Sequence, residues 1–242
     1  NIGRIGGFER DFNEVAFQKI KEFTKRFPPV LAEFEDLFNR NRIFIERTSG
    51  VAAVTPEMAL SYSWSGPILR ATGVDYDVRA NEPYSSYEEF DFDVPVGENG
   101  DVYDRYMVRN EEMRQSLRII AQALEKIEKE PKGVFHADVP AFYLPPKEQV
   151  YNNMEALIYH FKIVMGEIDT PKTEVYHAVE GGNGELGFYL ISDGGRSPYR
   201  LHFRRPSFIN YQMYAPMSRG MLLSDAIINM SSLNVIAGEL DA

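Results

Sequence analysis

The chain has 242 residues, a formal charge of -10 from 36 acids against 26 lysines and arginines, 44% hydrophobic content and no cysteine. That size and apolar content suit one large domain or two small ones around a packed core, and the acidic balance argues against a surface that tracks nucleic-acid phosphates. Without cysteine, these residues make no disulfide, thiolate metal site, iron–sulfur ligation or thiol nucleophile.

No apolar run approaches the ~20 residues needed to cross a bilayer. The start at Asn1, with neither methionine nor signal-like blocks, is what a piece of a longer protein would show. Residues 1–7, NIGRIGG, read as a glycine-rich turn or loop. From Asn13 the apolar residues Val15, Phe17, Ile20 and Phe23 predict a helix that Phe27-Pro28-Pro29 interrupts. A second helix then carries Leu31, Phe34, Leu37 and Phe38 to a break at residues 39–41, so the pair is expected to form a helical hairpin. Thr55-Pro56-Glu57 is a capping residue, a first-turn proline and an acid in order, and predicts a helix towards Trp64 that Gly66-Pro67 ends. Residues 68–99 alternate aromatic and valine residues with Asp, Pro and Gly. They read as an irregular packed connection with short strands such as 90–94.

The longest helical pattern spans residues 104–130, with Tyr106, Met113, Leu117, Ile120, Ala121, Leu124 and Ile127 three or four apart on one face. Asp104 is the expected starter and Pro131 the stop, giving a rod of roughly 40 Å. A proline- and aromatic-rich loop over residues 131–146 leads to a helix over 150–165, apolar at Met154, Leu157, Ile158, Phe161, Val164 and Met165. The runs 175–179, 186–192 and 199–204 are then β-prone. They are separated by Gly181-Gly182-Asn183-Gly184 and Asp193-Gly194-Gly195, which read as two hairpin turns. Residues 222–230 look helical, and an apolar tail over 233–242 carries only Glu239 and Asp241. The pattern predicts one compact α+β unit dominated by helices, with long core helices and a small antiparallel sheet near the C-terminus.

Several candidate motifs weaken on inspection. Gly182-Asn183-Gly184-Glu185-Leu186-Gly187 has the letters of a dinucleotide fingerprint, but a strand pattern follows where a helix should open, so it reads as a hairpin turn. His136, His160, His177 and His202 lack metal-site spacing. There is no Gly-x-Ser-x-Gly elbow and no phosphate-loop lysine. Asp75/Asp77 and Asp91/Asp93 read as solvated or capping acids. The arginine-rich run 196–205 alternates with Tyr199, Leu201 and Phe203 as a half-exposed strand does, and a partner-facing strand is the bolder version. In the tail, Glu239 stands alone among apolar residues. It is either a buried carboxylate with a raised pKa and a proton-handling role or part of a frayed end.

Taken together, RIGG at residues 4–7, TPEMAL and SGPILRATGVDYDVR within 55–79, FDVPVGENGDVYDRY at 92–106 and EEMRQSLRIIAQAL at 111–124 resemble the quinone-pocket family of NADH-quinone oxidoreductase, the D subunits of respiratory complex I. MEALIYHFK at 154–162, GELGFYLISDGG at 184–195 with PYR at 198–200, and GELD at 238–241 complete the match, in order along nearly the whole chain. The resemblance implies a fold shared with the large subunit of nickel–iron hydrogenases, and makes these residues the carboxyl-terminal portion of one such domain, its N-terminal part absent. It places Ile236 and Glu239 where the hydrogenase tail holds metal with cysteines. Without thiolates no metal is expected, and the cavity becomes a quinone pocket to which Asn234, Ile236 and Glu239 contribute. The family's usual basic residue before Gly-Glu is Asn183 here, and Ala242 replaces a usual terminal arginine. The family's head-group histidine and tyrosine come from segments upstream of RIGG.

The implied activity is that of a quinone-chamber subunit in a proton-translocating NADH-quinone oxidoreductase, positioning and protonating quinone. Electrons arrive from an iron–sulfur cluster in the adjacent subunit. The resemblance implies that the chain itself binds no cofactor and that the fragment alone is inactive. Expected partners are the hydrophilic B and C subunits, the membrane arm and quinone, not nucleic acid, with a peripheral location on the cytoplasmic side of the membrane. Two other classes remain open: a non-redox scaffold bridging partners in a membrane-associated complex, and a hydrogenase-type large subunit, which a metal assay on the full-length chain would identify.

Overall fold

The computed structural model describes residues 3–4, 6–130, 133, 135–139, 142–166 and 170–241. They fall into two compact units: Asn1–Lys19, Lys126–Tyr176 and Tyr189–His202 in the first, and Ile20–Glu125, His177–Phe188 and Phe203–Ala242 in the second. The fold is mainly helical with a three-stranded sheet, as the hydrophobic periodicities predict.

The opening segment is more ordered than a loop: β1 (Gly3–Arg4) pairs antiparallel with β2 (Gly7–Phe8), and Gly7 also bridges His136. The expected helical hairpin is instead one helix, α1 (Glu14–Asn39), with Pro28 and Pro29 inside it. Two adjacent prolines remove two ladder donors, a local cost of ~3 kcal/mol or more. The helix persists because its apolar stripe continues through them. Phe23 and Phe27 pack at 5.2 Å before the prolines, and Phe34 and Phe38 at 4.6 Å after them, the latter two each also meeting Tyr106. The break at 39–41 is where expected, and Asn41 caps a short α2 (Arg42–Thr48) by accepting from Ile43 and Phe44 N–H.

Thr55 Oγ1 caps α3 (Pro56–Ser61) as the sequence predicts, but Gly66-Pro67 opens a further turn, α4 (Pro67–Arg70), instead of ending the earlier one. Gly66 and Gly184 cross at backbone contact: a Cβ on Gly66, at φ +70°, would lie 2.3 Å from Gly184 Cα. Next comes α5 (Val78–Asn81), capped by Asp77, and a 3-10 turn at Tyr87–Glu89. Residues 90–94 form no strand. Their Asp91 and Asp93 N–H groups donate to the Gln122 and Gln115 side chains at 2.9 and 3.1 Å, while Arg118 pairs with both aspartates. Helix side chains replace the missing strand partner.

The long helix α6 (Val102–Lys129) starts earlier than Asp104, because Asp101 supplies the cap, accepting from Asp104 N–H at 2.8 Å. Its buried residues are Val102, Arg105, Val108, Asn110 and Leu124, so the inward face of its first half is not the predicted one. Ala121 and Ile127, expected in the core, are exposed. The helix predicted over 150–165 is two: α7 (Lys147–Asn152) and α8 (Met154–Met165), divided by Asn153, whose side chain accepts from Glu155 and Ala156 N–H. Strands β3 (Thr173–Gly181), β4 (Gly184–Ser192) and β5 (Arg200–Arg204) form one sheet in that order, with the two predicted glycine turns between them. Residues 200–203 are exposed on both faces, not alternately.

Then follow α9 (Pro206–Tyr211), α10 (Tyr214–Ser218), α11 (Leu223–Leu233) and α12 (Ala237–Asp241). In the second unit Ala52, Val54, Ala59, Trp64, Ile68, Leu69, Val102, Met213, Met217 and Leu233 form one apolar core. This core fixes α11, and with it the start of the tail, against α6.

Candidate functional site

Helix α9 begins with Pro206, which lacks an N–H, and the residue before it, Arg205, gives no side-chain cap. The free Ser207 N–H donates to Glu239 Oε2 at 2.8 Å, so the tail carboxylate caps a helix 32 residues away in sequence. An anion at a helix N-terminus is favoured by the oriented amides there. Ser207 Oγ accepts from Ile236 N–H at 3.3 Å and from Asn183 Nδ2 at 3.2 Å. Asn183 Oδ1 in turn accepts from Asn234 Nδ2 at 2.7 Å, and its carbonyl accepts from Asn210 Nδ2 at 3.1 Å. Asn183 is 5% exposed, in the turn joining β3 to β4, and Ser207 and Asn210 are fully buried.

Asn234 ends α11 in the left-handed conformation, φ +53° and ψ +46°, which asparagine tolerates better than most residues. That turn sends the chain back across α9. The three residues singled out in the sequence, Asn234, Ile236 and Glu239, therefore meet on one buried serine and one buried asparagine. The tail is a docked helical turn, not a frayed end. Glu239 is partly buried, while the Ile236 side chain is 51% exposed although its amide is held. None of the three lines the cavity of about 500 Å³ bordered by Phe8, Phe12, Phe17, Ile127 and Phe135.

A second cluster lies in the same unit as the tail. Arg70, 1% exposed, donates through Nε and Nη2 to Glu112 Oε1 at 2.9 and 2.6 Å, and through Nη1 to Glu180 Oε1 and Tyr76 O at 2.9 and 3.0 Å. Asp77, also buried, sits 3.5 Å from Arg70 Nη1 and is gripped by Arg79 at 2.6 Å. Burial pushes Glu180 above the usual carboxylate range, and the charge of Arg70 only partly offsets this. For Asp77 burial pushes the same way, but the Arg79 hydrogen bond and the charges of Arg70 and Arg79 win, holding it below its ordinary value. The Arg70 guanidinium is raised: desolvation would lower it, but Glu112, Glu180 and Asp77 together outweigh that. Glu180 is thus the buried acid of this cluster readiest to take a proton. Of the two roles expected for Asp77, capping and solvation, only the first holds: it caps α5, accepting from Arg79 N–H at 2.9 Å, but it is buried. Asp91 and Asp93 are exposed as expected.

Sequence reasoning does not single out Ser207, Asn210, Arg70 or Glu180 as functional. Ser207 and Asn210 have no motif, and their importance comes from a fold contact across 29 and 27 residues. Asn183 does carry a signal, since it stands where the resembled family has a basic side chain.

This architecture and site define a class: a mainly helical α+β protein whose tail is held by amides, a hydroxyl and one carboxylate. Among the described residues no group of three or more His, Cys, Asp or Glu is arranged to hold a metal ion. The family described as respiratory-chain NADH dehydrogenase, 49 Kd subunit, matches residues 1–242, and the chain belongs to it. It is 68% identical over 242 residues to the NADH-quinone oxidoreductase D 2 subunit of Cytophaga hutchinsonii, covering all of this chain and 62% of that protein. It is 65% identical over 243 residues to the NADH-quinone oxidoreductase D subunit of Flavobacterium johnsoniae, covering all of this chain and 58% of that one. The corresponding D subunit of Leptospira biflexa is 53% identical over 238 residues, with 98% of this chain and 58% of the relative covered. The chain thus spans about three fifths of the length of these relatives.

Proposed function

We propose that this chain forms part of the quinone chamber of an NADH-quinone oxidoreductase, with the docked tail from Asn234 to Glu239 as its contribution. The observation that carries the reading is the geometry of that tail. Its backbone and polar groups are tied to Asn183 and Ser207, while Ile236 keeps an apolar side chain half exposed beside them. A held backbone that presents an apolar side chain suits a flat, redox-active head group, which needs apolar contact and a few placed polar groups. In this reading the chain supplies position and electrostatics, and Glu239 biases protonation of reduced quinone. The electrons come from an iron–sulfur cluster in a neighbouring subunit. The B and C subunits and the membrane arm are the proposed partners, on the cytoplasmic face of the membrane. No helix among the described residues is long and apolar enough to cross a membrane.

The test uses the complete complex and separates charge from capping. Glu239→Gln keeps an oxygen able to accept from Ser207 N–H but removes the charge, whereas Glu239→Ala removes both. Quinone reduction is expected to fall in both variants, with NADH oxidation by an artificial acceptor preserved. Normal turnover and inhibitor sensitivity in Glu239→Gln would remove the carboxylate charge from the mechanism. If Glu239→Ala also behaves normally, the tail is not part of the chamber.

The scaffold reading is favoured for one region. Helix α8 exposes Met154, Leu157, Ile158, Phe161, Val164 and Met165, more apolar surface than a twelve-residue helix usually leaves to water. This gives α8 a bridging role alongside the chamber role of the tail, and charged substitutions there are expected to impair assembly before catalysis.

A further inference from the structure

Arg105 lies in the first turns of α6 and is fully buried. Its guanidinium is shared between three segments. Nη1 donates to Ser232 Oγ at 2.9 Å and to Asn229 Oδ1 at 3.4 Å, both on α11. Nη2 donates to the carbonyls of Ala52 at 2.6 Å and Gly100 at 3.0 Å, and the group lies 5.6 Å from the centre of the Trp64 ring. All these acceptors are neutral, and no carboxylate lies within salt-bridge distance among the described residues. Burial first, and then the neighbouring Arg109, pushes the Arg105 guanidinium down to about 9, against the opposing charges of Asp101 and Asp104.

A buried cation with no carboxylate in direct contact is an expensive way to fill a core, since an apolar side chain of similar volume avoids the desolvation cost. What arginine adds is a planar fork that fixes several acceptors at once, in directions a lysine ammonium or an apolar chain does not reproduce. Here the fork fixes how far α11 slides along α6 and how it is rotated. Ser232, its closest partner on α11, is two residues before Asn234, where the helix ends and the tail turns back over α9. A shift of α11 therefore passes directly into the Asn183–Asn234 bond and the Ile236–Ser207 bond, each of which has little tolerance in length.

We infer that Arg105 is a positioning residue for the quinone-chamber tail: through Ser232 and Asn229 it sets where Asn234 and Ile236 stand. This rests on the chamber proposal. Arg105 touches no reacting atom, so its loss is predicted to alter how well quinone binds more than how fast bound quinone reacts.

The experiment compares complete complexes carrying Ser232→Ala, Arg105→Lys or Ile236→Ala. Each is assayed with a short-chain soluble quinone and a quinone-site inhibitor, with NADH oxidation by an artificial acceptor as the upstream control. Ser232→Ala removes one acceptor and leaves Arg105 its other three, so the fold is retained. A hydrogen bond to a charged group supports a rise in apparent KM of about three- to ten-fold, part of its full worth, with kcat within about two-fold. Arg105→Lys keeps the charge without the fork and is expected to shift KM and inhibitor potency at least as far. Unchanged KM and inhibitor potency in Ser232→Ala would overturn the inference, as would KM, kcat and upstream oxidation failing together. Arg105→Lys failing to assemble beside a normal Ser232→Ala would also overturn it, marking Arg105 as purely structural. If Ile236→Ala shifts KM and Ser232→Ala does not, the chamber reading stands and the link through Arg105 falls. If neither shifts KM, the chamber reading itself falls.

Discussion

Replacing Arg70 by methionine removes the one group that touches Glu112, Glu180 and Asp77 together. Methionine fills most of the volume, so the main effect is electrostatic: three carboxylates remain, and Arg79 is bound to Asp77. Breaking a buried ion pair by deleting one partner costs ~3–5 kcal/mol, a large fraction of the ~5–15 kcal/mol that holds a typical domain folded. The effect is local first. Gly97 N–H is bonded to the Arg70 carbonyl at 2.8 Å, Val78 N–H to Glu180 Oε2 at 3.3 Å and Ala71 N–H to Pro67 O at 2.9 Å. Hydrogen exchange at these amides in the assembled complex reports opening of this segment, and the cost corresponds to acceleration by about two to four orders of magnitude.

The sign of the pH dependence provides a second check. Glu180 is already raised in the folded protein, by burial first, with Arg70 as the main opposing charge. Without Arg70 its folded value rises further above that of the unfolded chain. A carboxyl raised on folding contributes stability that is fully present below the unfolded pKa and is lost as pH rises through the folded one. Arg70→Met is therefore expected to be less damaging at about pH 5 than at about pH 8. Adding Glu180→Gln should recover part of the loss at the higher pH, because the amide needs no counter-ion. Protection within about three-fold of the unmodified complex, a reversed pH trend, or a double variant no better than Arg70→Met would each refute the reasoning.

Gly184→Ala places a Cβ 2.6 Å from Ser65 Oγ at φ +135°, a strain of ~1–3 kcal/mol, and is expected to lower the temperature at which the proposed quinone reductase activity is lost. Retention of the original inactivation temperature would show that the crossing with Gly66 has room for a side chain. Asn153→Ala removes the cap of α8, worth ~0.5–2 kcal/mol. Exchange of the Glu155 and Ala156 amides should rise by about two- to thirty-fold, while amides in β3 remain as they were.

Much of the fold is legible in the sequence because it is local. Thr55 and the Gly182-Asn183 turn act through residues within a few positions of themselves, and such signals read correctly. The errors share a cause. Phe27-Pro28-Pro29 signals a stop, yet the packing of Phe34 and Phe38 on Tyr106 carries α1 through it, a tertiary override of a local preference. Residues 90–94 have strand composition, but Gln115 and Gln122 satisfy their amides from a helix. The inward face of α6 differs from its apolar stripe in the first half because Arg105 and Asn110, which have surface chemistry, turn inward. The burial of Arg105 depends on acceptors such as Ala52 O and Ser232 Oγ, which no periodicity reveals. In the candidate site, Asn234, Ile236 and Glu239 are singled out through family resemblance. Ser207, which joins the last two, is invisible because a serine after a proline is common and acquires meaning only when the chain returns to it.

The strength of the tail's attachment also bears on what the tail can do. Two neutral hydrogen bonds, Asn234 to Asn183 and Ile236 to Ser207, contribute ~0.5–1.5 kcal/mol each, and the charged one from Ser207 to Glu239 ~1.5–3 kcal/mol. Their sum of ~3–6 kcal/mol lies at or below the ~5–15 kcal/mol of a whole domain, so the tail is able to open without unfolding the unit beneath it. Because Glu239 supplies about half of that total, its capping bond decides how often the tail is open, apart from any part its charge plays towards quinone. Arg105 acts one step earlier: by fixing α11 it determines that each closure returns Asn234 and Ile236 to the same place. Loss of the Glu239 cap should therefore raise the open fraction while leaving the closed geometry intact, whereas loss of the Arg105–Ser232 bond should leave the tail closed but misplaced.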